Sequence, residues 1–235
     1  MEKFALPDAV YRAAEEVIEQ ERRLIIKAYG IIHTTEDFMR AFVQKIMARF
    51  ARPDLAPAVE IIIKELTMNA VKANFKKIFF IENQLDISDP AQYAAGMARF
   101  PDIMTENVFV TYGRKARAMQ LKVETSFDFN KDRVIIEVRN NTPMVPHEEQ
   151  RVREKMQRAL RYGDMGQFLM ENLDETEGAG AGLALCLTTM QSAGIDPRLL
   201  SLYSDLKTET IARAEIPLHA AYVPTRRRWQ AALAG

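Results

Sequence analysis

Residues 56–80, APAVEIIIKELTMNAVKANFKKIFF, constrain this chain more than any other stretch. At about 3.6 residues per turn, Glu65, Asn69, Lys72 and Lys76 fall in one narrow stripe of a helix. Val59, Ile62, Ile63, Leu66, Ala70 and Ala73 fall in another, about a quarter-turn away. Such a helix can dock its apolar side on a sheet and present a carboxylate, an amide and two ammonium groups in a row. A charged stripe alone is the ordinary solvated side of an amphipathic helix, so a function needs a second feature.

That feature is residues 174–190, DETEGAGAGLALCLTTM, where Gly178, Gly180 and Gly182 alternate before an apolar, helix-like run. Closely spaced glycines let a backbone approach an anion, and the start of the following helix offers free N–H groups and a positive dipole end. No Gly-Lys-Ser/Thr follows, which excludes a P-loop. No strand pattern leads in, which argues against a dinucleotide fingerprint.

Together the two stretches resemble the GHKL ATPase superfamily, with the sensor histidine kinases as the nearest branch. Residues 65–73, ELTMNAVKA, look like that family's N box, E-L-x-x-N-A-x-K-x, and residues 178–185, GAGAGLAL, look like its second glycine box. The resemblance spans roughly residues 55–218. It implies an α+β fold, a two-layer α/β sandwich of the Bergerat type, with a mixed or antiparallel sheet covered on one face by helices. It also implies ATP and magnesium as ligands. Glu65 becomes the general base, Asn69 the magnesium ligand, and Lys72 a phosphate contact. Gly178, Gly180, Gly182 and Leu183 form the phosphate-side turn, and Thr210, near the start of the closing strand, touches the adenine site. Where the family has D-x-G-x-G, this chain has Asn140-Asn141-Thr142-Pro143-Met144. Asn140 stands in place of the adenine-reading aspartate. Its carbonyl can accept from an amine without the charge-assisted strength of a carboxylate, so weaker affinity or altered base choice is expected.

Around this centre the chain divides into an N-terminal helical segment (1–54), a nucleotide-binding domain (55–218) whose lid covers about 143–178, and a C-terminal tail (219–235). The pattern predicts one helix over 7–29, with Pro7 in its first turn and Gly30 as its stop, and a second from Thr34 or Thr35 through Phe50. In histidine kinases such a pair precedes the ATP-binding domain as a dimerising hairpin, so a homodimer through these helices is an expectation. His33 sits in an apparent turn without the acidic neighbour of a phosphoacceptor, and reads as a turn residue. Residues 83–114 look irregular, with a short helical run after Asp89-Pro90. Strands are expected over 119–127 and 133–139 as a hairpin, and over 199–206 and 210–218. Between them, 146–177 is charged. Arg151, Arg153, Lys155, Arg158 and Arg161 could reach phosphates or simply be solvated, and Phe168 matches the aromatic residue of a lid.

Charge is balanced, with 32 Lys plus Arg against 32 Asp plus Glu, so no global field favours nucleic acid or an anionic membrane. The single cysteine, Cys186, reads as a buried structural thiol. The start MEKFALPDAV has no apolar stretch of signal-peptide length, and no run approaches the ~18 residues that span a bilayer, so a cytoplasmic protein is expected. Three functions stay open: an ATP-dependent protein kinase of the histidine type acting on itself or on a partner, such as a response regulator; a non-catalytic nucleotide sensor that regulates a partner protein; or a degenerate scaffold.

Overall fold

The computed structural model describes residues 6–30, 33–100, 106–161 and 181–233. The fold is α+β, with one five-stranded sheet in the order β1-β2-β3-β5-β4 in which every neighbouring pair is antiparallel. The strands are β1 (Leu24–Ala28), β2 (Val123–Phe129), β3 (Arg133–Asn140), β4 (Leu200–Ser204) and β5 (Thr210–Pro217). Strict alternation in β3 buries Val134, Ile136, Val138 and Asn140 on one face. The other face carries charge, including Arg139 between the carboxylates of Glu137 and Glu209 at 3.0 Å each.

Helices cover the apolar face. The longest, α3 (Ala56–Glu82), follows α1 (Asp8–Glu19) and α2 (His33–Arg49) and runs beneath β2, β3 and β5. Val59, Ile62, Leu66, Val71, Phe75 and Ile78 are buried along it. Next come α4 (Pro90–Arg99), α5 (Glu106–Ala118) and α6 (Pro146–Ala159), then α7 (Ala181–Ser192) packed against α3, and finally α8 (Thr225–Leu233). No helix among the described residues is long and apolar enough to cross a membrane.

The single helix expected over 7–29 is corrected. It ends at Glu19, and Leu24–Ala28 is an edge strand paired with β2, with Leu24 opposite Phe127. The basic run before it imitates a helix C-terminus, whereas the strand is specified by a non-local partner. Glu21, at φ 49, makes the turn, and the Arg22 amide closes it on the Val17 carbonyl at 2.9 Å. The N-terminal segment therefore shares the core of the rest: Phe42 of α2 meets Phe127 and Phe129 edge-on, with ring centroids 5.2 and 5.9 Å apart.

Within the segment expected to be irregular over 83–114, the short helical run after Asp89-Pro90 is α4, and the correction is that most of α5 lies there as well. Asp89 caps α4 by accepting from the Gln92 amide. Gly96 lets α4 lie directly on α3, since a methyl there would overlap the Phe80 ring. The chain after β1 passes close to α5, where a Cβ at Gly30 would make an ordinary contact with the Gly113 Cα at 3.4 Å. The C-terminal tail forms α8, anchored where the buried Glu215 carboxylate accepts from Tyr222 Oη at 2.6 Å and from the Thr225 amide at 2.8 Å. Trp229 projects from it, 67% exposed.

Candidate functional site

Between α3 and the sheet lies a cavity of about 320 Å³. Its floor is Leu66, Ala70 and Ala73 of α3 facing Val138 of β3 and Ala212 of β5, and Leu183 of α7 closes one side. Tyr93 and Met97 of α4, with Phe100 just after it, form a wall. Residues 142–144 and the first turns of α6 form the rim. The lining is mainly apolar with a few convergent polar groups, which is the make-up of a small-molecule site.

The polar groups of α3 lie along one side. Asn69, Lys72 and Lys76 line the cavity, and Glu65, one turn earlier, stands beside Asn69 at the start of α7. Gly182 marks that junction. A Cβ there would overlap the Glu65 carboxylate and stand 3.3 Å from Asn69 Nδ2, so any larger residue would push that carboxylate from its place. Glu65, Asn69 and Lys72 have no hydrogen bond or ion pair to any described residue. Lys72 is exposed and Glu65 and Asn69 are half-buried, so all three heads are open to solvent or to a ligand. Gly178 and Gly180 lie outside the described residues, as does Phe168.

Cys186, one turn into α7, is fully buried. Burial, then the nearby Glu65 carboxylate, push its thiol far above the ordinary range, so it stays protonated at neutral pH. It packs rather than reacts.

At the end of the sheet Asn140 and Thr210 are cross-strand partners, and both hold the segment that follows β3. Asn140 Nδ2 donates to the Thr142 carbonyl at 3.1 Å, and Thr210 Oγ1 donates to the same oxygen at 2.9 Å. Thr142 Oγ1 in turn donates to Asn74 Oδ1 at 2.7 Å. Asn74, on α3, is fully buried, and its Nδ2 reaches the Lys122 carbonyl at 3.3 Å.

On the opposite rim the cations divide. Lys76 pairs with Glu148 of α6, and Tyr93 Oη donates to the same carboxylate at 2.9 Å. Arg151 Nη2 donates to Tyr93 Oη at 2.6 Å with its guanidinium 5.3 Å from the ring centre. Burial raises the Glu148 carboxyl, but the charge and hydrogen bond of Lys76, the Tyr93 hydroxyl and the Val145 amide outweigh it and hold the group below its usual range. Lys76 is thus already neutralised, and Lys72 is the ammonium of the α3 stripe without an ion pair among the described residues.

The structure therefore brings Asn69, Lys72, Asn140, Leu183 and Thr210 to one cavity, with Glu65 and Gly182 at its end. Sequence reasoning missed Tyr93, Met97 and Phe100, because 83–100 carried no sign that it folds back over α3. It also missed Asn74 and Thr142, whose partnership joins residues far apart in the chain. The one available signal was Asn74 itself, an amide on the buried side of a helix, which must find partners.

No protein-family model matches the chain, and no solved structure matches it. An uncharacterized protein of Treponema pallidum (strain Nichols) is 31% identical over 202 residues, covering 86% of this chain. The chain spans 39% of that relative's length.

Proposed function

We propose that this chain binds magnesium–ATP in the α3 cavity and acts as a signalling protein of the histidine-kinase-like ATPase type, with a Bergerat-type sandwich as its fold. Its activity is that of a protein kinase of the histidine type or an ATPase-coupled regulator in the cytoplasm. A response regulator or other regulatory protein is its partner, and a homodimer through α1 and α2 is its assembly. The observation that carries this reading is the set Glu65, Asn69 and Lys72, without hydrogen bonds or ion pairs among the described residues, beside the close approach of Gly182.

The residues fit the ligand's demands. Asn69 Oδ1 is the oxygen that would hold magnesium, an ion that prefers oxygen donors and, when bound, neutralises phosphate charge. Lys72 supplies a second positive charge beside the phosphates. The resemblance implies that backbone N–H groups of Gly178, Gly180 and Gly182 would meet them. Leu66, Ala70, Val138, Leu183 and Ala212 exclude water around the base. Asn140 accepts from the adenine amine, and Thr210 holds the Thr142 carbonyl in place. Glu65 takes the proton from the attacking hydroxyl, imidazole or water.

A second reading, a nucleotide sensor without turnover, is favoured by the Lys76–Glu148–Tyr93–Arg151 cluster. It ties α4 and α6 together across the rim, so a ligand that disturbs it moves α6.

Calorimetric titration of magnesium–ATP tests the shared premise. Binding tighter than about 1 mM, lost in Asn69→Ala, is the expected result; weaker binding, or binding indifferent to that substitution, removes the reading. Labelled ATP then separates the two versions. Labelled protein or released ADP that disappears in Glu65→Gln supports the kinase, and a silent but saturable site supports the sensor.

A further inference from the structure

We infer that the free edge of β4 is a docking site for an extended, apolar segment of a partner protein, carrying at least one acidic residue, which adds to the sheet as a sixth strand. The sheet ends in two edges, β1 and β4. An edge strand turns a row of N–H and C=O groups away from its one neighbour, and native proteins guard such rows with charge or proline. β1 is guarded: its sequence LIIKA holds the exposed Lys27, and Arg22 and Arg23 stand exposed just before it. β4 is not. Its sequence LSLYS has neither charge nor proline, Ser201 is exposed, and Tyr203 is 56% exposed. Among the described strands it pairs with β5 alone.

Beyond that edge lies a second cavity, of about 350 Å³. Leu200, Ser201 and Leu202 of β4 line one side and Met156 and Leu160 of α6 another, and no residue of β5 takes part. A strand laid along β4 would present every second side chain to this apolar space. The rim selects the charge of what enters. Arg153, Arg198 and Arg226 stand around it. Glu149 holds Arg153, and Asp196 holds Arg198 at 3.3 Å. Arg226 of α8 has no ion pair or hydrogen bond among the described residues. A carboxylate arriving with the strand would complete it.

Trp229, three residues on and so on the same side of α8, is 67% exposed and offers a large apolar surface beside Arg226. A second copy of this chain fits less well, because its own β4 brings no carboxylate. Met144, Val152 and Leu202 line both this cavity and the α3 cavity, so a docked strand would lie against the back of the proposed ligand site. The inference gives the partner of the proposed signalling activity a place and a chemistry, and it stands whether or not the α3 cavity takes a nucleotide.

The test uses the full chain without nucleotide and two end-blocked hexapeptides, one alternating valine with glutamate and one alternating valine with lysine. The valine–glutamate peptide is expected to bind with a Kd of about 1 mM or tighter by calorimetry, and to slow amide exchange at Leu200–Ser204. The valine–lysine peptide is expected to bind at least roughly fivefold more weakly. Arg226→Glu, a change at an exposed position, should reverse that order without altering the melting temperature. No saturable binding of the acidic peptide, equal affinity for the two peptides, an order unchanged by Arg226→Glu, or binding that leaves exchange in β4 as it was overturns the inference. So does a dimer that protects β4 in the absence of peptide, since a second copy then holds the edge. Because no nucleotide is present, each of these results leaves the reading of the α3 cavity where it stood.

Discussion

Gly182 concentrates the argument at the scale of single residues. Glycine to alanine in a helix ordinarily stabilises by about 0.5–1 kcal/mol, yet at 182 the added methyl would overlap the Glu65 carboxylate and crowd Asn69. Gly182→Ala is therefore expected to leave the melting temperature no higher and to cut nucleotide turnover by roughly tenfold or more, since a general base contributes about 10²–10⁴. Steady-state ADP release checks it, and turnover equal to wild type would separate Glu65 from the chemistry. Tyr112 offers a test of the fold by pH. Burial first, then the Glu82 carboxylate that accepts from its hydroxyl at 3.1 Å, raise this phenol from 10.0 to about 12. Between those values the unfolded chain releases the proton and the native state keeps it, so this contribution to stability is full below 10.0 and is lost as pH rises toward 12. Denaturant melts across that range should decline less steeply in Tyr112→Phe than in the wild type. The row Glu65, Asn69, Lys72 was legible in the sequence because its spacing is set by one helix. The Asn74–Thr142–Asn140 wiring was not, because it exists only once α3, β3 and the chain after it meet.

Helix ends show a recurring economy at the scale of elements. After α1, α2, α3 and α5 the chain turns through Glu21, Ala51, Gln84 and Gln120, all at φ between 49 and 56, where a side chain is strained. Each turn is closed by the same wide backbone bond, such as the Arg52 amide to the Met47 carbonyl at 2.8 Å. The exposed Ala51 is the simplest to relieve. Ala51→Gly is expected to stabilise by about 0.5–1 kcal/mol, read as a higher denaturant midpoint with an unchanged slope. A lower midpoint would mean that the strain is illusory. Missing glycines also explain part of what a sequence reading loses, since these stops carry no glycine signal. Alternation made β2 and β3 readable, and Gly194, at φ 70, marks the end of α7. The edge strand β1 was invisible because five residues, alternately half-buried and exposed, carry little pattern without their partner β2. Most of α5 was hidden by Gly113 and by a polar surface, with only Tyr112 and Ala116 fully committed to the core in its second half.

Across the whole molecule, aromatic packing joins the N-terminal elements to the sheet. Phe42 is fully buried between Phe38, Phe127 and Phe129, so Phe42→Ala removes contacts on two elements at once. A loss of about 3–5 kcal/mol is expected, measured by urea denaturation. A loss below 1 kcal/mol would show that α2 is an appendage. Such a cost is a large part of the stability of an ordinary domain, about 5–15 kcal/mol. The segment read from the sequence as a separate helical pair thus supplies a strand to the sheet and rings to its interior. Anyone trimming this chain to begin at residue 55, in search of a minimal nucleotide binder, would peel away the border of the sheet. The backbone of β2 would be left bare along one side, with Phe127 and Phe129 in water, and the product should self-associate rather than bind.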